Sequence, residues 1–133
     1  MNIHEFRADL IKKHWQEYCA GIAAANDKLN AEHAATGTHF KEVMWLLHRR
    51  YYDRKSEIVR ELPPDEQENA ARQALAEFDA ASDLARQQLH EEMTAASKYH
   101  SMVCRLIRDL CVERTSATAS GVNDYKFTNQ EVA

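Results

Sequence analysis

Apolar residues recur along most of this chain at alternating steps of three and four, the spacing of one face of an α-helix. From Ile3 to about Ala34 the face is marked by Ile11, Trp15, Tyr18, Ile22, Ala25 and Leu29, with no proline to interrupt it. Gly21 lies inside this run at a cost of about 1 kcal/mol relative to alanine, so it marks a kink or a close helix contact. The stretch "TGT", Thr36 to Thr38, then predicts a turn, with Gly37 as a left-handed stop and Thr38 as the cap of the next helix.

A second helix is expected from about His39 to Glu61, with Phe40, Val43, Met44, Leu47, Tyr51 and Ile58 on one side. Trp45, Tyr52 and Val59 form a second stripe at intervals of seven. An apolar arc that wide belongs to a helix sandwiched between neighbours, so these three are expected to be mostly buried, against another helix of the chain or a second protomer. "LPPDE" ends this helix, because proline cannot continue one, while Pro64, Asp65 and Glu66 suit the first turn of the next.

After Pro64 neither glycine nor proline occurs before Gly121, and Leu75, Phe78, Ser82, Ala85, Leu89, Glu92, Ala96, Tyr99, Val103, Leu106 and Leu110 keep a strict three-four alternation. Continued to about Thr115, this third helix would be roughly 75 Å long against about 35 Å for the second. Its end carries Tyr99, Met102, Val103, Leu106, Ile107 and Leu110, past the reach of the second helix. Burying each such side chain is worth about 1.5 to 3 kcal/mol, so the segment should either fold back after a break near Thr94 to Ser97 or pair with its copy in another chain. Pairing is the better reading, since no glycine, proline or capping box marks a break. The expected fold is therefore all-α. An antiparallel helical hairpin packs on a long third helix, as a three-helix bundle or, with the break, a four-helix bundle, with coiled-coil-like self-association. A single domain spans residues 1–116, and a polar tail at 117–133 offers Tyr125 and Phe127 for docking.

Composition agrees. The 133 residues include only three glycines and two prolines, which favours helix, and suffice for one core. The net charge of −4 argues against generic affinity for phosphate backbones or anionic membranes. Three cysteines without paired spacing point to a reducing compartment, and no apolar run resembles a signal peptide or a membrane span, so a cytoplasmic protein is expected.

One stretch runs against the overall charge. "HRRYYDRK", His48 to Lys55, carries Arg49, Arg50, Arg54 and Lys55, the residues a nucleic acid would meet if Gly37 were the turn of a helix-turn-helix. Local answers exist for these charges: Arg54 can reach Glu57 one turn on. Residues 38–61 carry six Lys/Arg against four Asp/Glu, a balance of +2, and residues 65–92 carry two against eight, a balance of −6. Antiparallel neighbours of opposite charge explain the cations without nucleic acid. His100 and Cys104 stand one helical turn apart, but Cys111 lies about 10 Å further along the axis, too far to share an ion. No phosphate-binding glycine loop, nucleophile elbow or metal-protease helix is present. The expected function is that of a non-catalytic helical interaction module without cofactor or metal, an adaptor, inhibitor or regulatory subunit that self-associates and binds a protein partner. The alternative is a small DNA-binding regulator.

Overall fold

The structure, a computed structural model, describes the backbone from Asn2 to Val132 and the side chains from Asn2 to Ala119. It is all-helical, with two helices packed together: α1 spans Ile3–Glu61 and α2 spans Pro64–Val132. The side chains of Tyr125 and Phe127, expected to dock, lie outside the described residues.

Local chemistry explains the ends. Asn2 and Glu5 form a reciprocal capping box: the Asn2 Oδ1 accepts from the Glu5 amide at 2.9 Å, and the Asn2 amide donates to Glu5 Oε2 at 3.3 Å. At the other end of α1 the Gln67 side chain donates to the carbonyls of Leu62 and Val59 at 3.0 and 3.4 Å, meeting acceptors that a helix terminus leaves open. Pro64 then opens α2 where no amide hydrogen is needed, followed by Asp65 and Glu66 against the positive end of the helix.

The turn expected at Thr36 to Thr38 does not form. Gly37 lies within α1, and no described residue takes a positive φ, the geometry a glycine stop requires. The first two expected helices are therefore one, and α2 is likewise unbroken at Thr94 to Ser97, so neither the three-helix nor the four-helix arrangement is formed. Packing has overridden the local signal: His33, Thr36 and Phe40, on both sides of Gly37, hold positions in one continuous seam.

Two packing units make up the chain. In the first, Ala31–Ala96, the helices run antiparallel across the proline turn. Its seam takes His33, Thr36, Phe40, Met44, Leu47, Tyr51, Ile58 and Leu62 from α1, and Gln67, Ala71, Ala74, Phe78, Ser82, Ala85, Leu89, Met93 and Ala96 from α2, all buried or half-buried. In the stretch Ala71–Ala85 large side chains on α1 thus meet mostly small ones on α2, apart from Phe78, whose ring lies 5.1 Å from Tyr51 and 4.8 Å from His48. Ile58 is 2% exposed. Ser82 is equally buried, and its hydroxyl has no hydrogen-bond partner. Because alanine would lose no hydrogen bond there and is the better helix former, Ser82→Ala is expected to stabilise the protein by about 1 kcal/mol in urea unfolding.

The other unit joins Met1–Asn30 with Ser97–Ala133. Its seam is more polar: Ile11, His14, Tyr18, Ile22, Ala25 and Leu29 pack with His100, Cys104, Ile107, Cys111, Thr115 and Thr118. His14 Nε2 lies 3.0 Å from Thr118 Oγ1, which itself donates to the Arg114 carbonyl at 2.9 Å, so the imidazole is the donor. The Cys111 thiol points at the His14 carbonyl at 3.7 Å, and Arg114 pairs with Glu17 at 3.0 Å. The close contact expected at Gly21 is present: a β-carbon there would stand 3.2 Å from Ile107 Cγ2. At Gly37 it would meet nothing within 4 Å. Gly37→Ala should therefore raise stability by about 0.5 to 1 kcal/mol, and Gly21→Ala by less because Ile107 must move, as denaturant melts of both variants would show.

Both seams step along each helix by four, four and three residues, an eleven-residue repeat. Eleven residues in three turns come close to the natural pitch of an α-helix, whereas a seven-residue repeat drifts by about 20° per repeat and needs left-handed supercoiling to stay in contact. The strict three-four stripe read along α2 coincides with the seam at Phe78, Ser82, Ala85, Leu89 and Ala96, and falls one residue short of it at Glu92 and from Tyr99 onward. From Tyr99 onward the two are separate lines on the helix.

Candidate interaction faces

That separation leaves an apolar line uncovered. Tyr99, Met102, Leu106 and Leu110 are all exposed, Met102 and Leu106 at 62% each. Val103 beside them is half-buried. Ile107, expected in the same line, belongs instead to the seam against Gly21, because it sits on the inner side of the helix at an eleven-residue position. The segment does not overhang bare helix, as the shorter second helix had implied: the first thirty residues of α1 cover its inner side. Lys28 Nζ lies 4.5 Å from the centre of the Tyr99 ring, a cation–π contact that leaves the outer edge of the tyrosine open.

In the unit Ala31–Ala96 a second line is open. Trp45, Tyr52 and Val59, expected to be mostly buried, are 59, 61 and 70% exposed. Each follows a seam residue by one position, so the helix across the seam of this unit does not lie over them. Leu75 on α2, also exposed, follows the seam residue Ala74 in the same way. The neighbouring cations use these rings: Arg49 lies 5.3 Å above Trp45, and Lys55 lies 5.3 Å from Tyr51 and 6.0 Å from Tyr52. His48 stacks on Tyr52 at 6.5 Å. Arg54 meets Glu57 at 3.3 Å, as its spacing implied. Of the four cations offered for nucleic acid, Arg50 and Arg54 share one face while Arg49 and Lys55 lie against aromatic rings, and the turn that would have presented them is continuous helix.

The flank that precedes the seam was not read from sequence. There Leu46 and Leu84 are exposed, and a dent of about 190 Å³ is lined by Leu47, Arg50, Tyr51, Arg54, Ala74, Glu77, Phe78 and Ala81. Its signal in the sequence is the run of alanines on α2 opposite large residues on α1, which becomes legible only once the register of the two helices is known.

Candidate chemistry stays sparse. Cys104 Sγ lies 3.4 Å from His100 Nε2, which is itself 2.6 Å from Asn26 Oδ1, so the histidine is held by an amide beside its thiol neighbour. Cys19, Cys104 and Cys111 are free thiols. Among the described residues no three His, Cys, Asp or Glu side chains gather as metal ligands, and no helix is long and apolar enough to cross a membrane. Compared with protein families, with curated proteins and with solved structures, the chain matches none.

Proposed function

We propose that this protein is a non-catalytic helical interaction module that associates with itself and presents a second face to a protein partner, as an adaptor, inhibitor or regulatory subunit of the cytoplasm. The observation that carries the reading is the open line of Tyr99, Met102, Leu106 and Leu110, with Val103 at its inner edge. These residues contribute little to the seam, so their apolar character needs another cause. Soluble chains rarely leave contiguous apolar stretches open unless something covers them. Spaced by three and four, the line suits coiled-coil-like pairing with a second helix. Trp45, Tyr52 and Val59 form the second face, rich in the aromatic residues that anchor protein interfaces.

The test is the assembled mass of the intact protein by light scattering across a concentration series. A multiple of the single-chain mass at tens of micromolar supports the reading. A single-chain mass throughout overturns it.

A further inference from the structure

We infer that Cys104 is a modification site, a thiol activated by His100 that exchanges with low-molecular-mass disulfides to form a mixed disulfide on this chain. The group lies apart from the Tyr99 line, on the other flank of the seam. Asn26, which holds His100, follows the seam residue Ala25, whereas Lys28, which meets Tyr99, precedes the seam residue Leu29.

Side chains from both helices build it. His100 and Cys104 stand one turn apart on α2, with Cys104 Sγ 3.4 Å from Nε2 and 4.0 Å from Nδ1 of the imidazole. Asn26 reaches across from α1 and places Oδ1 2.6 Å from the same Nε2. An amide oxygen only accepts, so Nε2 carries the hydrogen and Nδ1 is the free base beside the thiol. When Nδ1 takes the thiol proton, the imidazolium stays bonded to Asn26 and lies against the thiolate it has made, so both contacts favour the reactive form of the sulfur. Cys104 and His100 are half-buried and Asn26 is exposed, so the group reaches the surface.

The exchange is balanced by the same residues. Sγ attacks one sulfur of the small disulfide, a new S–S bond forms as the old one breaks, and the departing thiolate takes the proton from His100 and leaves as a thiol. Cys104 is oxidised, and the departing half of the disulfide is reduced. Cys111, seven residues on and about 10 Å along the helix, is too far to displace the adduct by closing an internal bridge. It is also buried, with its thiol on the His14 carbonyl.

The test treats the reduced full chain with oxidised glutathione at neutral pH and follows the adduct at each cysteine by peptide mass spectrometry. Exposure alone ranks the thiols Cys19, Cys104, Cys111. Cys104 is expected instead to react several-fold faster than Cys19. His100→Gln, which keeps an amide beside Asn26 but cannot take the thiol proton, should slow Cys104 by about tenfold or more and leave the Cys19 rate unchanged. Cys111 reports the seam and should stay unreactive in both proteins. If His100→Gln opens the seam and frees Cys111, the wild-type order of Cys104 over Cys19 decides alone. Cys19 reacting faster than Cys104 in the wild-type chain, or an unchanged Cys104 rate in His100→Gln with Cys111 still closed, overturns the assignment.

Discussion

Replacing Leu106 and Leu110 together with glutamate is expected to convert the assembly to a folded monomer. Both side chains are largely exposed in the single chain, and neither is a seam residue, so the hairpin loses little when they change. In an assembly the same positions would be covered. Covering a leucine contributes roughly 1.5 to 3 kcal/mol when burial is complete, and a carboxylate put in its place must be desolvated without a partner. With two copies carrying the change, affinity should fall by more than about a hundredfold. Sedimentation velocity reports the mass and far-ultraviolet circular dichroism the helix content. Loss of helix along with loss of mass would mean that these leucines hold the hairpin itself.

The second large effect concerns stability. Ile58→Ala is expected to cost about 2 to 4 kcal/mol, the usual range for emptying a buried isoleucine site, because Ile58 is 2% exposed beside the proline turn. Val59→Ala, next in sequence but 70% exposed, should cost less than about 1 kcal/mol. Both are best measured by urea unfolding in the Leu106→Glu, Leu110→Glu background at one protein concentration, since any self-association would add its own stability to the intact protein. Equal costs at the two positions would place the seam wrongly on α1.

Strong punctuation was legible in the sequence and weak punctuation was not. Pro63 and Pro64 reverse the chain where they must, because a proline ring cannot be accommodated within a helix. Gly37 resembled a stop, yet a helical glycine costs only about 1 kcal/mol, and the seam residues His33, Thr36 and Phe40 around it outweigh that. The pairing of Arg54 with Glu57 and the contact at Gly21 were also legible, the first from helical spacing and the second from the absent side chain.

The exposed apolar line was found in part, through an error of period. Counting by three and four tracks a seven-residue repeat, which drifts slowly around a helix of natural pitch. The count therefore left the seam after Ala96 and arrived on the exposed flank at Tyr99, where it picked up Leu106 and Leu110. Ile107 was drawn in with them but packs inside, because the eleven-residue step that places it there is invisible without the partner helix. The dent around Ala74 and Ala81 was hidden for a related reason: it depends on which residues of α1 stand opposite the alanines.

Met102 offers the most direct test of the central claim, that a second copy covers this line. It is 62% exposed in the single chain, whereas Met93 is a half-buried seam residue that serves as an internal reference. Hydroxyl-radical footprinting read by mass spectrometry gives the oxidation rate of each methionine as the protein is diluted. The account predicts that Met102 is protected at concentrations where the protein is assembled and becomes several-fold more reactive on dilution, with Met93 unchanged. Equal reactivity of Met102 at every concentration, in samples shown to be assembled, would contradict it.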